Sequence, residues 1–309
     1  MLPASVPLLN REMLFVTGKG GVGKTTVAAA IALRAAREGR RTIVCELAGQ
    51  TRIPALLGSE AGAPGEEVQV ADNLWATTIE SHLVMEEWIA KILGSKSLTH
   101  LLVRSNFFRA FSEAAPGGSE LGETVKTWEL AAGHRWDRRR KGYDLVIVDG
   151  PASGHAIGML RTPGTFADIA RVGPIASQSR KVRAWLSDPA KTGFLAVALP
   201  GELPITETLQ LGDRLKESIG RRLEAVVVNG VLPDRFSGDD EAAVEAAAGD
   251  GDEASVAVAT ARARAGAQAE QIERLRAGTK ARVYTLPFLF TSDLGPSELE
   301  ALADQLPVA

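Results

Sequence analysis

Gly18-Lys19-Gly20-Gly21-Val22-Gly23-Lys24-Thr25-Thr26 stands between the apolar run Met13–Thr17 (MLFVT) and an alanine-rich stretch, Thr25–Glu38, that Gly39 ends. The spacing is G-x-x-x-x-G-K-[ST], set between a strand and a helix. Glycines let successive backbone N–H groups turn inward and cradle phosphate oxygens. The N-terminus of the following helix adds the positive end of its dipole. Lys24 is expected at the β- and γ-phosphates, Thr25 on Mg²⁺ and Thr26 at the α-phosphate. Gly18, Gly20, Gly21, Val22 and Gly23 supply the backbone cradle. The expected ligands are therefore ATP or ADP with Mg²⁺. A chance glycine turn does not account for the strand, the spacing and the helix together.

Working outward, apolar runs alternate with helical stretches. Thr42–Glu46 (TIVCE) and Leu74–Ile79 (LWATTI) read as strands, as do Leu145–Asp149 (LVIVD) and Phe194–Leu199 (FLAVAL). Leu223–Asn229 and Arg282–Leu286 complete the set. Strands separated by helices imply βαβ units, hence an α/β fold: a P-loop NTPase with a mostly parallel sheet flanked by helices. Two stretches break the rhythm. Residues 81–140 carry helical spacing (Leu83, Trp88, Ile89, Ile92, Leu93) and are cut at Ala115-Pro116-Gly117-Gly118. Residues 157–191 are also helical, with Pro163, Pro174 and Pro189 as expected breaks. Both read as segments of one helical subdomain inserted in a single domain, 1–309. Asp239–Gln271 is rich in Ala, Asp and Glu; it reads as a surface helix with a mobile centre at Gly249–Glu253.

Composition narrows the class. The 309 residues are 45% hydrophobic but only 5% aromatic, as a helix-covered parallel sheet requires. A net charge of -3 gives no overall basic field for nucleic acid. Cys45 is the one cysteine, so no disulfide forms within the chain and no zinc site takes two of its thiolates. A reducing, cytoplasmic compartment fits. No uncharged apolar run reaches the roughly 18 residues of a membrane span. The opening MLPASVPLLNRE lacks a secretory pattern.

Lys19 is a second lysine inside the loop, which an ordinary phosphate loop does not need; a solvated loop lysine is the bland reading. KGGVGKTT resembles the "deviant" P-loop of the MinD, ParA, nitrogenase iron protein and ArsA families. That resemblance implies a dimer closing on ATP, with Lys19 crossing to the nucleotide of the other subunit. The branch is set by Val148-Asp149-Gly150-Pro151-Ala152-Ser153-Gly154-His155. Asp149 ends an apolar run, where a second carboxylate can hold Mg²⁺ through water. The segment resembles the D-T-A-P-T-G-H switch of the ArsA and tail-anchored-protein-targeting ATPases. Gly154 and His155 keep the pattern; Gly150, Pro151 and Ala152 depart from it. Leu199–Thr208 resembles the family's "PE…ET" segment. Asn229 sits where the family's adenine-binding asparagine lies, and a carboxamide both donates to and accepts from adenine. Leu286-Pro287-Phe288-Leu289 resembles the loop that covers the base, which places Pro287 and Phe288 there. Ala115-Pro116-Gly117 resembles the start of the central helical segment.

The family's D-P-A segment, whose aspartate positions the attacking water, has no clear counterpart. Cys45-Glu46-Leu47-Ala48-Gly49 puts Ala48 at the aspartate position; a shifted register makes Glu46 the working carboxylate. This resembles one member of the paired ArsA-like proteins of actinobacteria, in which the other member keeps D-P-A. The implied assembly is a homodimer, or a heterodimer with such a paralogue. Arsenite-binding cysteines and a C-x-x-C zinc clasp are both missing from the sequence, and four methionines make no Met-rich client groove. Basic residues cluster at Arg135–Lys141, read as the end of a helix, and at Arg171–Arg183. They are solvated helix faces or a docking surface for an acidic partner or an anionic membrane. Lys19, Lys24, Asp149 and Glu46 are the catalytic candidates. Three functions compete: a slow or partner-dependent ATPase switch that holds or releases a client the sequence does not identify, a nucleotide-binding subunit without turnover, and a ParA/MinD-like positioning ATPase.

Overall fold

A computed structural model describes residues 8–47, 50–93, 117–131, 133–170, 172–248 and 252–306. Eight strands form one sheet: β1 (Met13–Gly18), β2 (Thr42–Leu47), β3 (Val68–Ala71), β4 (Leu74–Ile79), β5 (Leu145–Ala152), β6 (Thr192–Ala198), β7 (Ala225–Val231) and β8 (Arg282–Pro287). Their order is β3-β4-β2-β5-β1-β6-β7-β8. Every pairing is parallel except β3 with β4. The strand β3 escapes a sequence reading because it is a four-residue edge with one buried side chain, too short to show alternation.

The helices are α1 (Lys24–Arg37), α2 (Ile53–Leu56), α3 (Ser81–Leu93), α4 (Gly118–Leu130), α5 (Ser153–Ala170) and α6 (Gly173–Ser187). They continue with α7 (Glu202–Ile219), α8 (Gly238–Ala248), α9 (Glu253–Gly278) and α10 (Pro296–Gln305). Alternate residues of β1 enter opposite layers, as a strand's period of two demands. Leu14 and Val16 join the layer capped by α1 and by Leu299 and Leu302 of α10. Met13 and Phe15 join the layer holding Trp88, Trp128, Met159 and Trp185 from α3, α4, α5 and α6. On that side α3 packs on α4, and α4 on α5 and α6.

Two expectations need correction. Pro163 does not break a helix; it lies inside α5. A proline costs one backbone donor, and buried Met159, Leu160 and Ala167 hold the helix through its packing. Arg135–Lys141 is not a helix end, since α4 stops at Leu130. The Arg135 side chain is buried and donates to Glu67 Oε1 at 2.6 Å; Arg140 reaches the same oxygen at 3.0 Å and Tyr143 Oη donates to Glu67 Oε2 at 2.8 Å. Arg135 and Arg140 tie the loop to Glu67 beside β3, while Arg138, Arg139, Arg140 and Lys141 are exposed, as a solvated face requires. Asp252 and Glu253 are the N-cap and first residue of α9, the Asp252 carboxylate accepting the Ala254 N–H at 3.1 Å. Residues 249–251 of that expected mobile centre, Ala115 and Pro116, Arg171, and Ala48 with Gly49 lie outside the described residues.

Candidate active site

β1 lies between β5 and β6, so its loop emerges at the middle of the sheet's C-terminal edge, where an open α/β sheet leaves a crevice. Gly18 is tight against β6: a Cβ there would stand 2.3 Å from the Val197 carbonyl oxygen. Gly21 (φ 81°) and Gly23 (φ 90°) turn the chain through left-handed conformations, Gly23 being the N-cap of α1 with no side-chain cap. The first N–H groups of α1 are thus left for a ligand. Gly20 is exposed and has open space around it. Val22 is buried and its carbonyl accepts from Asn229 Nδ2 at 3.1 Å. Thr26 sits half-buried in the first turn of α1.

Thr25 and Asp149 meet across the crevice. The Thr25 hydroxyl donates to Asp149 Oδ2 at 2.6 Å. Asp149 is 6% exposed, and its Oδ1 is buried with no hydrogen-bond partner. Burial raises the Asp149 pKa, opposed by the Thr25 hydrogen bond and by the charges of Lys24 and Arg52. Burial likewise lowers the Lys24 pKa, with Asp149 opposing. A buried carboxylate oxygen left without a partner beside a hydroxyl fits a hard divalent cation reached directly or through water. The residues present therefore suit Mg²⁺.

The lysines are held within the chain. Lys24 Nζ donates to the Lys19 carbonyl at 2.9 Å. Lys19 Nζ pairs with Glu207 Oε1 on α7 at 2.6 Å. Glu207 belongs to the "PE…ET" segment but was not among the sequence candidates. Nothing in local spacing links it to a lysine 188 residues earlier. Glu46 faces Asp149 in the β2–β5 register. Its Oε1 accepts the Arg52 N–H at 2.7 Å and its Oε2 the Ile53 N–H at 3.1 Å. Burial raises the Glu46 pKa despite those two bonds. Both oxygens thus brace the entry to α2.

The base-side candidates gather at the ends of β7 and β8. Pro287 pairs with Val231, and the Phe288 N–H donates to the Val231 carbonyl at 2.8 Å. Phe288 is 47% exposed, and its ring meets that of Phe290 edge-on at 5.0 Å. Asn229 turns its amide toward the loop, and a Cβ on the next residue, Gly230, would stand 3.9 Å from Phe288 Cδ2. His155 lies exposed in the first turn of α5. Cys45 is fully buried. No helix among the described residues is long and apolar enough to cross a membrane.

A family profile described as "Anion-transporting ATPase" matches residues 11–172 and 166–247. The ATPase BagA of Mycobacterium tuberculosis is 29% identical over 241 residues, 76% of this chain and 69% of BagA. An arsenical pump-driving ATPase of Escherichia coli is 26% identical over 235 residues, covering 71% of this chain and 39% of that protein. One from Acidiphilium multivorum is 25% identical over 245 residues, 74% of this chain and 41% of the relative. The chain thus spans about two fifths of the length of these two pump-driving relatives.

Proposed function

Because this chain belongs to the anion-transporting ATPase family, we propose that it binds Mg·ATP at Gly18–Thr26 and couples its nucleotide state to a partner or client. The observation that carries this reading is the Thr25–Asp149 pair at 2.6 Å, with the second Asp149 oxygen buried and unpartnered. It stands beside a glycine loop and an uncapped helix N-terminus.

The residues divide the work. Uncapped N–H groups of the loop and of α1 bind the phosphates, with the Thr26 hydroxyl at the α-phosphate. Lys24 exchanges its bond to the Lys19 carbonyl for the β- and γ-phosphates, a charge-assisted contact. Thr25 and Asp149 would hold Mg²⁺, which when bound neutralises developing phosphate charge. Asn229 and Phe288 flank the base. Lys19 extends to the nucleotide of a second chain, a homodimer partner or a D-P-A-bearing paralogue. Hydrolysis takes ATP and water to ADP and phosphate, and in this chain it is slow or partner-dependent. Positioning dominates phosphoryl transfer, and the position that would orient water is occupied by Ala48.

One observation favours a second reading, a nucleotide-binding subunit without turnover: both oxygens of Glu46 are engaged by backbone N–H groups. A single-turnover assay with labelled ATP separates the two. We expect slow phosphate release from the isolated chain, accelerated by a D-P-A-bearing relative. No release in either case would leave the nucleotide-binding reading, and rapid release from the isolated chain would refute the slow-site account.

A further inference from the structure

The ion pair at the rim of the loop has a consequence for how the site is switched. Lys19 Nζ meets Glu207 Oε1 at 2.6 Å, with side chains 48% and 31% exposed. The other Glu207 oxygen is buried and has no hydrogen-bond partner. Lys19 is therefore the cation on which this half-buried carboxylate depends. The first turns of α7, which carry Glu207, are anchored by α9. Glu207 follows Thr206 on the second turn of α7, and Arg274 of α9 donates to the Thr206 hydroxyl at 2.9 Å and to the Glu202 carbonyl at 3.5 Å. α7 follows β6, the strand hydrogen-bonded to β1, so loop and helix rise from adjacent strands of one sheet.

We propose that Glu207 is the positioning residue that parks Lys19 in the nucleotide-free chain, so that breaking this pair is part of the cost of closing on ATP. This rests on the reading of Lys19 as the lysine that reaches a second chain's nucleotide. One ammonium cannot both sit on Glu207 and extend across an interface. The parked conformer must be vacated, and the apparent affinity for closure falls by the fraction of chains already released. A phosphate outcompetes the carboxylate because it offers more charge and more acceptor oxygens. Once phosphate leaves, the unpaired, half-buried Glu207 draws Lys19 back and resets the loop. Glu207 thereby sets the threshold at which nucleotide drives association.

Sedimentation over a titration of a non-hydrolysable ATP analogue with Mg²⁺ tests this on the wild-type chain, Glu207→Gln, Lys19→Ala and the double variant. Glu207→Gln should lower the analogue concentration for half-maximal association about two- to fivefold, the range of a partly exposed ion pair. In the Lys19→Ala background it should change nothing. An equal shift in both backgrounds would show that Glu207 acts through α7 and not through Lys19, and would overturn the proposal, as would a shift to higher concentration. If Lys19→Ala associates as wild type does, the cross-chain reading fails by itself. The parking claim is then judged by the ¹³Cε resonance of Lys19. Sensitivity of that resonance to Glu207→Gln without nucleotide, and its loss with analogue, upholds the claim; sensitivity in both states or in neither overturns it.

Discussion

Glu46 and Asp149 face one another in register on neighbouring strands, yet their carboxylates have different surroundings. Asp149 keeps one oxygen without a partner in a crevice; Glu46 has both oxygens on backbone N–H groups. Glu46→Gln would leave one of those N–H groups facing an amide NH₂. The expected effect is a loss of about 1–3 kcal/mol of stability, the cost of an unsatisfied buried donor, read from denaturant midpoints. An unchanged midpoint would mean that the brace is not structural, and would return Glu46 to the catalytic candidates. Lost turnover in this variant therefore cannot by itself identify a water-orienting base. At this scale the motif residues were legible in the sequence, because glycine, lysine, threonine and aspartate at fixed spacing follow from phosphate chemistry. Their protein partners were not. The contacts Asn229–Val22, Lys19–Glu207 and Glu46–Arg52 are set by which loops the sheet brings together.

Among elements, every strand but the short edge β3 announced itself through an apolar run, and the helices through spacing. The failures were local chemistry overruled by packing. Pro163 sits within α5 because buried neighbours hold the helix across a missing donor. Arg135 looked like a helix-end cation and is instead a buried partner of Glu67 and Glu129. The contact of α3 with α4 carries a pH response. Glu123 of α4 is pushed up to about 7 by burial, against the Ser81 hydroxyl that donates to it at 3.2 Å, with Glu120 adding repulsion. A carboxyl raised in the folded state gives stability that is full below its unfolded value near 4.5 and is lost as pH rises through about 7. Glu123→Gln should therefore stabilise the protein at pH 8, by something on the order of 1 kcal/mol, and change little at pH 4. Thermal unfolding at the two pH values checks this; an equal effect at both would place the Glu123 charge elsewhere than in this contact.

For the whole molecule, the strand order puts β1 at the centre, with β5 on one side and β6 on the other. One edge of the sheet therefore collects the glycine loop, Asp149 from β5, Glu207 beyond β6 and Asn229 from β7. From Asp149 the chain runs through Gly150–Ala152 straight into α5, which packs on α4 and α6. A change at the phosphate end thus has a short covalent path to the helical layer, which gives the proposed coupling of nucleotide and partner a physical route. α10 has a different task. Leu299, Leu302 and Ala303 are buried against the α1 side, and Arg37 pairs with Glu300 and Asp304, so this acidic helix serves packing.

The most direct test of the account is a calorimetric titration of ATP into wild type and Lys24→Ala, each with Mg²⁺ and with the metal chelated. The account predicts saturable binding by wild type that weakens when Mg²⁺ is removed. It also predicts a loss in Lys24→Ala of about 1.5–3 kcal/mol, the worth of a hydrogen bond to a charged group. Equal affinity in the two proteins, or affinity indifferent to Mg²⁺, would contradict it.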